Sequence, residues 1–406
     1  MAQSPAVTDR TTASPPSDAP VLTRSFVLLC AAAFLGNTHW SLLTPTLPLF
    51  IQEQGGTATF VGLVAAAFSA PSFLFRPFIG RTVDVWSARG VMGIGTLLLG
   101  AAGASYLVYQ AVVLLVIRAI HGVAWAAYNT GANVLVARVI PPARRGEAVG
   151  YYTTAQGVAY AVVPAVALWL LSLVGFTGVF LVSCGVGLLA AAAVWAMPSQ
   201  PRGPAQATSE SFWAGLVERS ALLPSALELL TKLPNSATSI FIPLYATFRG
   251  IAVESLVFYF LVVGIASVAT RGLFGSWSDR AGRGWVIGLG ALGGALSLVL
   301  LSQAEDIVVL TVGGVLSGAA VSASGPTVMA LAIDRSRPER RGAAMATYSM
   351  AFQLAQGGGA LLWGVLIEAM GYSATYLVAA LAPLAALALI AKYWRAMGAP
   401  KSMAAG

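Results

Sequence analysis

Long apolar stretches, separated at regular intervals by short polar ones, set the pattern of this chain of 406 residues. Charge-free runs extend from Ser25 to Gln52, Gly90 to Ile117, Ala148 to Pro201, Gly284 to Ala304, Ile307 to Ile333, Gly342 to Ile367 and Ala369 to Ala391. A helix needs about 20 mostly apolar residues to cross a bilayer, so each run is long enough. The run from Ala148 is too long for one crossing, and Gly175-Phe176-Thr177-Gly178 is expected to turn it back. Counted in this way the pattern predicts twelve spans: 25–51, 58–81, 88–108, 111–138, 145–172, 176–197, 220–248, 254–278, 284–303, 307–333, 342–368 and 373–394.

Composition agrees with the pattern. Only 9% of residues are charged, 57% are apolar and the mean hydropathy is +0.79, whereas a soluble domain carries roughly 25% charged residues. Residues 1–24, rich in Pro, Ser, Thr and Ala, read as a disordered cytoplasmic tail, because no apolar run precedes the first full-length span as a signal peptide would require. Residues 198–219 form a polar cytoplasmic linker, and 397–406 a second cytoplasmic tail. With the N-terminus inside, all of the 23 Lys and Arg except Arg118, Lys232 and Arg249 fall at cytoplasmic loops or ends, as the positive-inside rule demands. The net charge of +8 therefore reports orientation in a cell membrane, not affinity for nucleic acid. Cys30 and Cys184 lie inside apolar spans, without metal spacing, as packing residues; no metal and no cofactor is expected.

The polar punctuation repeats. "RPFIGRTVD" at 76 returns as "RGLFGSWSD" at 271, and "ARRGEAVGYY" at 143 returns as "ERRGAAMATY" at 339. Gly122 and Gly318, Pro142 and Pro338, and Gly175 and Gly371 keep the same register. Two copies of a six-helix unit, 25–197 and 220–396, are thus joined by the linker. Parallel repeats with a site between them near the bilayer midplane are the architecture of a rocking transporter.

These motifs give the chain a family resemblance. It resembles the major facilitator superfamily, whose signature Gly-x-x-x-Asp-Arg-x-Gly-Arg follows the second and eighth spans. Gly275, Asp279, Arg280, Gly282 and Arg283 match it, while the first copy keeps Gly80 and Asp84, has Val85 and Ser87 in the Arg and Gly places, and has Arg89 one place late. The resemblance implies an all-α membrane fold of twelve helices in two repeats, alternating access, and a gate in which Asp84, with Asp279 as its symmetry partner, latches the halves at the cytoplasmic face. Drug and metabolite exporters of the family carry Arg-x-x-Gln-Gly in the fourth span; here Arg118-Ala119-Ile120-His121-Gly122 has His in the Gln place. A Gly-Pro pair typical of proton antiporters is only partly present, at Val163-Pro164.

Ionisable groups within spans are costly and become functional candidates by default. Glu228 and Lys232, four apart on one helical face, are placed to neutralise each other as an ion pair. Glu228, Arg118, His121 and His39 are the candidates for proton coupling, although a packing role suits His39 equally. Arg118, His121, Trp125, Asn129 and Asn133 share one face of the fourth span. With Asn37, Lys232, Tyr152, Gln156, Tyr160, Tyr348 and Gln356 they describe an amphiphilic, aromatic-lined substrate cavity.

The expected function is secondary transport, with export of a small amphiphilic compound (drug, secondary metabolite or metallophore) in exchange for protons, by a monomer. Uptake of an anionic metabolite, with Arg118 and Lys232 as clamp, is the alternative within transport, and a non-transporting membrane sensor the alternative of another class. No nucleophile, metal cluster or paired carboxylates share a helix face, so the chain is not expected to be an enzyme.

Overall fold

The computed structural model describes residues 21–140, 144–198, 218–337 and 340–397. The tail 1–20, most of the linker 198–219 and the tail 398–406 lie outside the described residues. Thirteen α-helices follow in order: α1 (Arg24–Glu53), α2 (Ala58–Leu74), α3 (Arg76–Val85), α4 (Ala88–Ser105), α5 (Ala111–Val139), α6 (Arg145–Trp195), α7 (Leu222–Phe248), α8 (Leu256–Ala281), α9 (Arg283–Ser302), α10 (Ile307–Asp334), α11 (Arg341–Gln353), α12 (Gly359–Ala379) and α13 (Leu381–Lys392). Several begin where the sequence places a capping oxygen: Thr23 accepts from Phe26 N–H at 3.2 Å, Thr57 from Phe60 at 3.2 Å, Ser87 from Gly90 at 2.9 Å and Asp306 from Val309 at 2.9 Å.

Among the described residues seven helical segments are long and apolar enough to cross a membrane, and an eighth is formed by α2 and α3 together. Two of the seven, Glu147–Trp195 and Gly342–Lys392, run to 49 and 51 residues. At about 1.5 Å per residue each is more than twice the roughly 30 Å hydrocarbon thickness, and each breaks at a glycine. Gly175 (φ 65°, ψ −176°) and Gly371 (φ 80°, ψ 170°) occupy a backbone region essentially closed to side chains, so each segment crosses twice. With α4 and α7, whose charges lower their hydropathy, twelve spans result.

Three details depart from the expected spans. The second span, expected at 58–81, bends by 45° between α2 and α3, because Pro77 at the start of α3 supplies no backbone donor; α3 continues to Val85. In the eleventh span the π-helical turn Leu354–Gly358 separates α11 from α12. The twelfth is interrupted at Ala380, between α12 and α13.

One end of the bundle carries Arg24, Arg89, Arg138, Arg144, Arg280, Arg283 and Lys392, and the opposite end carries Glu53, Glu254, Glu305, Asp306 and Glu368. These ends are called here the basic and the acidic face. Toward the acidic face a single apolar core runs through both halves, joining Leu47, Ile51, Val61, Tyr106 and Phe180 to Phe241, Tyr245, Tyr259, Leu301, Trp363 and Tyr376. Toward the basic face the core is divided: one cluster, with Phe26, Leu29, Met92, Tyr128 and Leu135, belongs to the first half. Another, with Leu227, Ile287, Val328, Leu331 and Ile390, belongs to the second.

Glycines allow the acidic-side closure. A Cβ at Gly62 would stand 2.5 Å from the Ala360 carbonyl oxygen, and one at Gly364 would collide with the Ala58 carbonyl, so α2 and α12 cross almost backbone to backbone, as small residues permit in membranes. Gly264 of α8 approaches Ala161 of α6 in the same manner. Polar ties span the halves at this level: Thr59 N–H donates to Glu368 Oε1 at 2.8 Å and Thr247 Oγ1 to Gln52 Oε1 at 3.1 Å. Deeper, Gln353 Nε2 donates to Ser72 Oγ at 3.1 Å.

Candidate functional site

The residues expected to form the gate lie on the basic face, where the apolar core is divided between the halves. Arg283 donates to Asp279 (2.8 Å), Ser278 (2.9 Å) and Asp334 (3.1 Å), all within the second half. The α8–α9 turn is made by Gly282 at φ 97°. Arg280 and Gly275 are exposed. In the first half Arg89 donates to the Met197 carbonyl and lies over the Trp195 ring at 5.8 Å, fastening α4 to the end of α6. Asp84 sits in α3, and its side chain lies outside the described residues. A Cβ at Gly80 or at Gly275 would meet nothing within 4 Å; neither glycine is needed for packing in this conformation.

The proton-coupling candidates of the first half come together in one chain of hydrogen bonds. His39 Nδ1 lies 3.0 Å from the Ser183 carbonyl oxygen and 2.8 Å from Ser183 Oγ. His39 Nε2 lies 3.2 Å from His121 Nε2. His121 Nδ1 lies 2.6 Å from the Tyr106 hydroxyl, to which Arg118 Nη1 donates at 3.3 Å. A carbonyl only accepts, so the proton on His39 belongs on Nδ1; His121 then donates from Nε2 and accepts from Tyr106 at Nδ1. In that direction the four ring nitrogens, the Ser183 carbonyl and the Tyr106 hydroxyl are satisfied with both rings neutral, whereas the reverse, in which the Ser183 hydroxyl donates to His39 Nδ1, leaves the Tyr106 proton without an acceptor in the chain. Both histidines are fully buried. Arg118 also donates from Nε to the Val64 carbonyl at 3.3 Å and lies 4.6 Å from the Phe68 ring centre and 5.7 Å from that of Trp40, an arrangement that replaces hydration by aromatic faces.

The stripe on α5 grades from dry to wet. Arg118 and His121 are buried and Trp125, packed against Trp40 and Tyr128, is 9% exposed. Asn129, its amide donating to the Trp125 carbonyl at 2.9 Å, is half-buried, and Asn133 is exposed. Asn37 points elsewhere: its amide donates to the Ala33 carbonyl (2.7 Å) and to Tyr128 Oη (3.1 Å), fixing α1 on α5. Tyr152 is buried and accepts from Gln156 at 3.3 Å, while Tyr160 is 48% exposed.

In the second half Glu228 and Lys232 are both buried, and the expected ion pair is not formed. The ion pairs among the described residues are Arg144–Glu147, Arg283–Asp279, Arg283–Asp334 and Arg340–Glu218. One turn apart on α7, the two side chains diverge: Glu228 is directed to the Tyr348 hydroxyl of α11, and Lys232 reaches α10, where a Cβ at Gly325 would stand 3.0 Å from Nζ. Glu228 Oε2 and Gln356 Oε1, in the π-helical turn, are buried without a hydrogen-bond partner.

Sequence reasoning missed Tyr106 and Ser183, which complete the histidine chain. Tyr106 is a polar residue near the end of the third span, 88–108; nothing in the sequence marks Ser183, which meets His39 across 144 positions.

Comparison with known proteins agrees with this architecture. The family profile described as Major Facilitator Superfamily matches residues 29–283 and 233–404. An uncharacterized MFS-type transporter of Methanocaldococcus jannaschii is 20% identical over 343 residues, covering 82% of this chain and 89% of its own. The quinolone resistance protein NorA of Staphylococcus aureus is 28% identical over 111 residues, 27% of this chain and 29% of its own. The nucleoside transporter NupG, as its D323A mutant, superposes with a TM-score of 0.76 at 14% identity, over 90% of this chain and 99% of that one. The chain belongs to the Major Facilitator Superfamily and is a membrane transporter of small molecules, not an enzyme.

Proposed function

We propose that the protein exports a small amphiphilic compound from the cytoplasm across the cell membrane in exchange for protons, as a monomer. The basic face is cytoplasmic by the positive-inside rule, which places both termini inside. The observation that carries the reading is the core that is continuous toward the acidic face and divided toward the basic one. It supports the reading that the protein stands at one extreme of alternating access, with a cavity open to the cytoplasm and ready for export cargo. The α5 stripe, from buried His121 through Trp125 to exposed Asn133, would give that cavity an aromatic surface with a few amides. The relative that is a quinolone resistance protein supports the export direction.

Proton coupling rests on the His39–His121 chain and on Glu228. With every imidazole lone pair engaged, one added proton has to reverse the chain or separate the rings, and separation moves α1 against α5. Glu228, buried with one oxygen unpaired, is the carrier in the second half. On the cytoplasmic face Asp84 and Asp279 act as the latch of the opposite state. Gly80 and Gly275 then supply the close approach that they do not make here.

The test is the pH change inside proteoliposomes on adding panels of cationic, neutral and anionic compounds, with Glu228→Gln beside wild type. Cargo-driven proton movement in wild type and its loss in the variant are expected; movement that survives in Glu228→Gln removes Glu228 from the coupling. Export further requires accumulation in inverted vesicles. Accumulation only in right-side-out vesicles would establish the second reading, uptake of an anionic metabolite, which the unpaired Lys232 favours.

A further inference from the structure

A narrow cavity lies inside the second half, between α7, α9, α10 and α13. Lys232 and Asn235 of α7 border it, with hydroxyls from Thr231, Thr238, Ser297, Ser317 and Ser324. Four of these hydroxyls donate to helix carbonyls: Thr231 to Leu227 (2.8 Å), Thr238 to Asn235 (3.1 Å), Ser297 to Gly313 (2.7 Å) and Ser324 to Ala320 (2.9 Å). A hydroxyl has one proton, so toward the cavity these four groups offer only lone pairs. The Lys232 ammonium, the Asn235 amide and the Ser317 hydroxyl are the donors left at this wall.

Lys232 is 7% exposed, and its ammonium closes no ion pair with a described residue. An ammonium in that position is costly until an anion joins it. Arg271, whose guanidinium reaches across to α6 at Gly157, adds like charge to its surroundings. Arg271 itself is exposed, and the carboxyl of Glu228, the acid that acts on Lys232 among the described residues, is turned to Tyr348. The buried Lys232 ammonium is thus the one charge left to be met, which matches a monoanion. One ammonium, one amide and one hydroxyl also suit two carboxylate oxygens better than a phosphate, whose larger charge calls for further cationic donors.

We infer that Lys232, assisted by Asn235, is the subsite for a carboxylate of the cargo. This rests on the proposed transport of an amphiphilic compound and narrows it: the cargo carries one carboxylate, with an apolar body for the aromatic wall of the first half. Hydroxyl or amine groups near the carboxylate find acceptors in Thr231, Thr238, Ser297 and Ser324.

The test is binding to the purified full chain in detergent, read by tryptophan fluorescence and by thermal shift. The probes are 4-phenylbutyrate, its amide, 4-phenylbutylamine and inorganic phosphate, against wild type, Lys232→Gln and Lys232→Arg. A charge-assisted hydrogen bond is expected to favour the carboxylate over the matched amide by about tenfold or more. Lys232→Gln should bind the two alike, and Lys232→Arg should keep part of the preference. Equal binding of amide and carboxylate by wild type, no binding of the carboxylate, phosphate binding as tight as the carboxylate, or a preference that survives Lys232→Gln each overturns the subsite. Melting curves of the free variants separate lost binding from lost folding, with Lys232→Arg retaining the charge if the glutamine variant fails to fold. Discrimination needs no proton movement: carboxylate preference without coupling sinks the antiport and spares the subsite, and proton-coupled movement of amines alone does the reverse.

Discussion

The Nε2 atoms of His39 and His121 face each other at 3.2 Å, one from α1 and the other from α5. Two ring nitrogens at that distance share one hydrogen, so the protonation of either ring is decided by the other. Ser183 at one end and Tyr106 with Arg118 at the other make the pair directional. Replacing His121 by Gln restores the residue type usual at that place in exporters resembling this chain, yet it removes the ring that we propose carries the proton. His121→Gln is expected to abolish cargo-driven proton movement in proteoliposomes. The glutamine amide still offers one donor for His39 and one acceptor for Tyr106, so the thermal midpoint is expected to stay close to that of wild type.

Gly62→Val drives a branched side chain into the Ala360 carbonyl, 2.5 Å from where Cβ would sit. Overpacking of this kind costs about 1–3 kcal/mol, which the molecule relieves by parting α2 from α12. A cysteine placed at Val64, in a chain with Cys30 and Cys184 removed, is expected to react with a thiol reagent added at the acidic face roughly tenfold faster in the Gly62→Val background.

Glu218, just before α7, accepts from Arg340 at 2.9 Å and from Ser220, while its backbone N–H donates to Thr347. The Arg340 hydrogen bond first, then those from Ser220, hold its carboxyl below the usual carboxylate range. A carboxylate shifted in that direction stabilises its contacts above an ordinary Glu pKa of about 4.3, and the contribution fades as pH falls through the depressed value. Glu218→Gln is therefore expected to make the chain ahead of α7 more susceptible to limited proteolysis at neutral pH. Wild type should approach that susceptibility only below about pH 4.

Asp84→Ala tests the latch. Because the apolar core is divided between the halves on the basic face in this conformation, the substitution should leave cargo binding within about twofold while lowering the turnover rate by tenfold or more, about 1.4 kcal/mol on the barrier. Wild-type flux would remove Asp84 from the gate.

Much of the fold was legible because lipid imposes a single rule: a run of about 20 apolar residues has to be a helix. The reversal at Gly175 and the twelve spans follow from it, while the repeat was legible in the polar motifs that recur at 76 and 271 and at 143 and 339. The bend ahead of Pro77 was masked because the apolar run continues through Phe75. At the candidate site local spacing carried less. Spacing of four put Glu228 and Lys232 on one face, but each side chain found a different neighbouring helix. His39 and His121 are 82 positions apart and Ser183 is 144 from His39; such meetings are products of tertiary packing, and no local period encodes them.

The reversals at Gly175 and Gly371 have a mechanical consequence. Where most helical hairpins have a loop, the fifth and sixth spans are joined at one residue, and so are the eleventh and twelfth. Each pair is consequently a stiff bracket with no slack at its apex, and both apices stand on the acidic side. No flap exists at these two corners to peel away from the entrance. Opening on that side has to tilt entire brackets, so the energetic cost of the stroke is distributed along α2–α12 and α6–α8 instead of residing in a lid.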